Sequence, residues 1–364
     1  MDETDELAAL IPALLGALDT LALFARRFEP GGLSQLARAL EAPTARLAEL
    51  ARPLEDWPDR LAEVRDPLRT ASGAAVAGLQ GLAAAGRTNE LADVFRALGH
   101  APRAQEALYP LAARLPPVSR FFLDPAARGD AALQAALAAP SGAPEAGLVH
   151  AGGEPGARGG WSAYAPEYYS ADRAWPLVVA LHGGSGNGRS FLWSWLAAAR
   201  SYGALLIAPT AVGRTWALNG PDPDTPNLAG ILEWARARWR VDPGRILLAG
   251  MSDGGTFAYV TGLAADSPFT HLAPTSAAFH PMLIGSSDAG RTDGLPIRIV
   301  HGVRDWMFPV EMAREAAAAL RAAGAAVTFR EIADLGHAFP REECAPTLAW
   351  LRSWGELAPG SGAL

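Results

Sequence analysis

Lysine is absent from this chain of 364 residues, so all 31 of its fixed positive charges are arginines. That removes Schiff-base chemistry and the lysine of a phosphate-binding loop from consideration. Cysteine occurs once, at Cys344, which excludes an intramolecular disulfide framework and any cysteine-based zinc site. Followed by Ala345-Pro346 near a helix start, Cys344 is expected to pack rather than react. The 7 histidines show no i, i+4 pair and no carboxylate spacing of the kind a zinc site uses, so neither a metal nor an organic cofactor is expected. Positive charge is in deficit too. A formal charge of -7 and an isoelectric point near 5.6 argue against a nucleic-acid partner, which requires a basic face. No apolar run is read as reaching the roughly 18 residues of a membrane span. The opening Met1-Asp2-Glu3-Thr4-Asp5-Glu6 is acidic where a secretory signal is basic, and the expectation is a cytoplasmic protein.

Half of the residues are hydrophobic, enough for a large core, and the length suits two domains. Residues 1–140 are rich in Ala, Leu and Arg. Leu7, Leu10, Ile11, Leu14, Leu18 and Leu21 fall on one helical face, and Leu91, Val94, Phe95 and Leu98 follow a Thr88 suited to capping their helix. Pro43, Pro53, Pro58, Pro67, Pro110 and Pro116-Pro117 punctuate this half, which predicts several helices of moderate length. Of 11 tryptophans only Trp57 lies here, and a boundary is expected at the turn-forming Pro140-Ser141-Gly142-Ala143-Pro144.

Beyond it the pattern changes. Gly147 to His150 reads as an edge strand, and the apolar runs Leu177–Leu181, Ala204–Ala208, Ile246–Ala249, Ile297–Val300 and Val327–Ile332 alternate with helical stretches. Strands separated by helices of that length imply parallel crossovers and a sheet covered on both faces, so residues 146–364 are expected to form an α/β domain.

Chemistry concentrates in this half. The run Ile246 to Ala249 breaks into Gly250-Met251-Ser252-Asp253-Gly254, with Phe257, Ala258, Val260 and Leu263 at helical spacing after it. A strand, a GxSxG serine and a helix in that order are what a nucleophile elbow needs, because a serine hydroxyl attacks only when a tight turn lifts it toward a base. The remaining parts can be placed at strand ends. Asp305 follows strand Ile297–Val300 in His301-Gly302-Val303-Arg304-Asp305, and His337 follows strand Val327–Ile332 after Gly336. Asp253 and Asp334 compete for the acid, but one points away from an elbow and the other precedes the histidine too closely. His280 and His301 compete with His337; His301 is read as structural and His280 as a possible pocket residue. Strand Leu177–Leu181 runs into His182-Gly183-Gly184-Ser185-Gly186, a turn able to aim the Gly184 N–H at a developing oxyanion, with the Asp253 N–H as second donor. His182 is expected to hold that loop. Trp193 and Trp195 are read as core, whereas Trp216 and Trp306 occupy loops on the catalytic edge and are expected to form an apolar substrate wall.

Leu181-His182-Gly183-Gly184, Gly250-Met251-Ser252-Asp253-Gly254-Gly255, His301-Gly302-Val303-Arg304-Asp305 and Gly336-His337, in that order, resemble the α/β-hydrolase superfamily over about the last 220 residues. Within it the chain is similar to bacterial predicted esterases of the carboxylesterase/phospholipase, dienelactone-hydrolase and polyhydroxybutyrate-depolymerase-like groups. The shorter Gly183-Gly184-Ser185 run departs from the hormone-sensitive-lipase type. The resemblance implies hydrolysis of a small-molecule or polymeric ester through a covalent acyl-enzyme, and leaves lipid, aryl, feruloyl-type and polyester substrates open. It says nothing of the helical first domain. A peptidase of the prolyl-oligopeptidase kind would share the triad, but no propeller or β-rich N-terminal domain is visible. A catalytically silent scaffold would have no use for an intact triad.

Overall fold

The alternation of short apolar runs with helices becomes an eight-stranded sheet in the computed structural model, which describes residues 2–33, 38–88, 90–285 and 290–354. Two compact units divide the chain, Met1–Arg128 and Gly129–Leu364. The division therefore falls before the turn-rich segment expected to be the linker. Hydrogen bonds explain the difference: Ser141 N–H donates to Glu167 O at 2.9 Å, and the Arg238 and Trp239 side chains donate to the carbonyls of Pro144 and Glu145, each at 3.0 Å. That segment is pinned within the second unit. Residues 355–364, at the end of the expected second domain, lie outside the described residues.

The first unit is helical: α1 (Glu3–Arg27), α2 (Glu41–Ala51), α3 (Ala62–Thr88), α4 (Leu91–Leu98), α5 (His100–Leu108) and α6 (Pro116–Phe121), with short 3-10 turns between them. Asp2 caps α1 by accepting the Asp5 N–H at 2.9 Å, and acidic residues in its first turn with arginines in its last complement the helix dipole. Leu10, Ile11, Leu14, Leu18, Leu21 and Phe24 are buried on one face, the face the periodicity indicates. Three expectations need correction. By length and composition α1 is apolar enough to cross a membrane, because Pro12, Gly16 and Asp19 interrupt the run without lowering its mean hydropathy below 2.0. Its leucine face is occupied in packing within this unit. Pro67 does not end a helix: it sits in the second turn of α3, where it forfeits one early backbone bond while Leu68, Ala71, Ala75, Leu79 and Leu82 are buried along the helix. Thr88 likewise closes α3 instead of capping α4.

In the second unit α7 (Ala131–Ala138) precedes strands β1 (Gly147–Ala151), β2 (Trp161–Ala165), β3 (Trp175–Leu181), β4 (Leu205–Pro209), β5 (Val241–Met251), β6 (His271–Thr275), β7 (Pro296–Gly302) and β8 (Ala326–Ile332). The spatial order is β1-β2-β4-β3-β5-β6-β7-β8; β1 and β2 run antiparallel to their neighbours and every pair from β4 to β8 is parallel. Helices α8 (Gly188–Tyr202), α9 (Asp224–Arg238), α10 (Asp253–Gly262), α11 (Met282–Gly285), α12 (Val310–Ala322) and α13 (Cys344–Ser353) connect or follow them. Every residue of β3, β4 and β6 is buried, which is why the first two read as unbroken apolar runs and not as alternations. After β4 the chain crosses back past β3 to form β5. That reversal opens a crevice at the carboxyl ends of β3 and β5, where open α/β sheets place their reacting groups.

Candidate active site

Ser252 stands immediately after β5 and before α10, with φ 55° and ψ −122°. This left-handed conformation costs an L-residue about 1–3 kcal/mol and persists only where its surroundings enforce it. Small residues make that possible: a Cβ on Gly250 would lie 2.3 Å from the Gly254 carbonyl oxygen, and one on Gly254 would lie 2.4 Å from the His182 carbonyl oxygen. Ser252 N–H donates to Thr275 O at 3.0 Å, and Thr256 N–H donates to Ser252 O at 2.8 Å, so both sides of the turn are fixed.

His337 and Asp305 arrive from the loops after β8 and β7. His337 Nδ1 lies 2.9 and 3.0 Å from the two oxygens of Asp305, and its Nε2 lies 3.0 Å from Ser252 Oγ. Because a carboxylate only accepts, Nδ1 carries the proton and Nε2 is left to accept from the serine hydroxyl. Asp305 also accepts the backbone N–H groups of Met307 at 2.9 Å and Phe308 at 2.8 Å. Burial alone would push its carboxyl up, but the bonds from His337 and from those two amides outweigh burial and hold it below the usual carboxylate range. It is therefore ionised at neutral pH and able to stabilise an imidazolium. The rings of Trp306 and Phe308 stand steeply inclined to the His337 ring, with centroids 5.8 and 5.4 Å away.

The glycine turn after β3 lies beside the serine. A Cβ on Gly183 would sit 3.6 Å from Ser252 Cβ, and one on Gly184 would sit 2.7 Å from Asp253 Oδ2. Gly184 and Asp253 are thus neighbours on the two segments expected to supply oxyanion donors. His182 is buried beneath the turn: Nδ1–H donates to Gly183 O at 2.6 Å and Nε2 accepts the Ala211 N–H at 3.1 Å. Burial pushes its pKa down to about 4 despite the bond to Gly183, so it holds the loop as a neutral ring.

The other candidates fall elsewhere. His301, fully buried, donates from Nε2 to Phe308 O at 2.9 Å and approaches Asp305 Oδ2 at 3.4 Å, bracing the acid's loop. His280 is exposed and accepts the Met282 N–H. Asp334 is exposed, and the Asp253 carboxylate faces Thr215 rather than a histidine. Trp193, Trp195 and Cys344 are buried. Trp216 corrects an expectation: instead of walling a pocket it is only 3% exposed, stacks on Phe257 at 5.4 Å and donates its indole N–H to His182 O at 2.7 Å. A loop at the carboxyl edge can turn its largest side chain inward, and here the covered back of α10 receives it. Two residues escaped the sequence reading. Thr215 donates to Asp253 Oδ2 at 2.6 Å, and the buried Asp224 accepts the N–H groups of Val212 at 2.7 Å and Ala217 at 2.8 Å. The Asp222-Pro223-Asp224 run signals a helix start, but nothing in its spacing points to those amides.

Residues 229–354 match the family model described as phospholipase/carboxylesterase, a stretch that contains Ser252, Asp305 and His337. The second unit has the α/β-hydrolase fold. Over 147 residues, 39% of its length, the chain is 30% identical to the bifunctional acetylxylan esterase/xylanase of Neocallimastix patriciarum. Over 134 residues, 31% of the chain, it is 28% identical to the poly(3-hydroxybutyrate) depolymerase of Ralstonia pickettii. The alignments span 21% and 27% of those two proteins, so each relative extends far beyond the shared stretch. Among solved structures, an esterase from the planctomycete Thermogutta terrifontis superposes with a TM-score of 0.47 at 18% identity, covering 60% of this chain and 97% of that one.

Proposed function

We propose that this α/β-hydrolase is a serine esterase that cleaves carboxylic esters through a covalent acyl-enzyme. The observation that carries the reading is the continuous hydrogen-bond chain from Ser252 Oγ through His337 to Asp305, built on a strained elbow beside a glycine turn. In this reading His337 takes the serine proton as Ser252 attacks the ester carbonyl, and returns it to the departing alkoxide. Water then repeats the sequence on the acyl-enzyme. Asp305 fixes the tautomer and stabilises the imidazolium. The Gly184 and Asp253 amides receive the oxyanion, each of a kind typically worth about 3 kcal/mol of transition-state stabilisation. Trp306, half-buried beside His337, offers an apolar face to the acyl or alcohol group.

A panel of p-nitrophenyl esters of increasing acyl length, an aryl ester, a polyester film and a peptide p-nitroanilide tests this reading, with Ser252→Ala as control. Turnover of at least one soluble ester, lost in the alanine variant, is the expected result. Cleavage of the anilide alone would replace the esterase reading with a peptidase.

A further inference from the structure

The loop between β4 and α9 touches both segments that carry the proposed oxyanion donors. On one side Ala211 N–H donates to His182 Nε2, and the Trp216 indole N–H donates to the His182 carbonyl, with the two rings 4.9 Å apart. His182 in turn holds the Gly183-Gly184 turn through its Nδ1–H. On the other side the Thr215 hydroxyl donates to Asp253 Oδ2, the residue whose amide is the second donor. The loop is itself clamped. Asp224, only 1% exposed, takes Val212 N–H on one oxygen and Ala217 N–H on the other, so one carboxylate closes the span that contains Thr215 and Trp216.

A buried carboxylate is expensive to desolvate, and it is retained where charge-assisted bonds to backbone amides fix a geometry. The Thr215 bond has a second consequence. The Asp253 side chain lies beside Gly184, and the Thr215 bond to Oδ2 fixes it there, between the two donor segments. We propose that Thr215 is a positioning residue for the oxyanion hole, and that the Asp224-clamped loop 212–217 sets the spacing of its two donors by gripping His182 and Asp253 at once. The proposal rests on the esterase reading above and adds to it a brace lying outside the triad.

The test compares full-length Thr215→Val, Thr215→Ser and Asp224→Asn with the parent on a soluble p-nitrophenyl ester. It reads kcat and KM separately, together with inhibition by an aryl boronic acid, whose tetrahedral serine adduct uses the same donors. Thr215→Val should lower kcat about tenfold, less than the ~10²–10³ typical of losing a donor outright, with KM unchanged. Boronic acid binding should weaken by a similar factor, because only interactions stronger in the transition state are lost. Thr215→Ser should restore both. Asp224→Asn, which sets an NH₂ group against one of the two amides, should act in the same direction and more strongly. Should Thr215→Val fail to fold, Thr215→Ala carries the same expectation. Variants that keep parental kcat and boronate affinity, or a serine variant no better than valine, would overturn the brace while leaving the esterase reading intact. A parent without ester turnover would overturn that reading and the brace with it.

Discussion

The two units bury very different things. Among the described residues of the helical unit the buried polar side chains are Ser72 and Gln105, each with a polar atom that has no hydrogen-bond partner. In the α/β-hydrolase unit the buried set includes the ionisable His182, Asp224, Ser252-linked Asp305, His301 and Arg200, and each makes directed bonds to backbone or to another charged group. The core of the first unit is apolar, and its directed bonds, such as Trp57 Nε1–H to Glu6, lie at its margin. The second bears the cost of burying charge, and Asp305, His301 and His182 lie around one serine, while His271 stands at the opposite end of the sheet. Satisfaction does not separate the two units, since the second also buries polar atoms without a hydrogen-bond partner, His301 Nδ1 and His271 Nε2 among them; what separates them is the gathering of buried ionisable groups about a serine.

The contrast should show first in rate. Asp305→Asn keeps the size of the side chain but leaves His337 free to take the wrong tautomer, and kcat should fall by about 10⁴, the magnitude seen when a triad aspartate elsewhere is amidated. A loss below tenfold would mean that the buried carboxylate serves the fold alone. Next in size comes stability. Trp216→Ala removes a core indole and should destabilise the protein by about 3–5 kcal/mol, read by denaturant titration. Trp306→Ala should instead reorder the preference among acyl groups while the unfolding midpoint moves little. If the two variants behaved alike, the distinction between a core tryptophan and a site tryptophan would fail.

Acid provides a smaller and more selective stress. His182 and His271, both in the second unit, are pushed down to about 4, in each case by burial first. They stay neutral in the folded chain, whereas in the unfolded chain they bind protons below about 6.5. The unfolded state therefore holds more protons between those values, and stability should be full above pH 6.5 and fall as pH drops toward 4. Asp305 does not add to this window, since its lowered carboxyl gives stability that persists until pH falls below the ordinary carboxylate range. With 10 of 11 tryptophans in the second unit, indole fluorescence during thermal unfolding follows the unit concerned. A midpoint constant from pH 7 to 4.5 would contradict the buried neutral rings.

How much of this was legible in the residues depended on the kind of constraint. The elbow was legible because a serine at φ 55° between crowded backbones admits only small neighbours, and Gly250, Gly254 and Gly255 write that demand into the chain. Strands β3 and β5 announced themselves as apolar runs. Strands β2 and β6 did not: Trp-Ser-Ala-Tyr-Ala is too short and polar to stand out, and His-Leu-Ala-Pro-Thr carries a proline inside a central parallel strand. Depth was the other blind spot. Trp216 and Trp306 both occupy loops at the carboxyl edge, and chain order does not say that one turns into the core. Bonds from side chain to distant backbone, such as those of Asp224, have no spacing to betray them.

The central claim is that Ser252, His337 and Asp305 act as one nucleophilic unit. Its most direct measurement is intact-mass and peptide mapping after exposure to a fluorophosphonate. The account predicts a single phosphonyl adduct on the peptide containing Ser252, absent in Ser252→Ala and formed far more slowly in His337→Ala. An adduct at another residue, or labelling that persists at the parental rate in either variant, would contradict it.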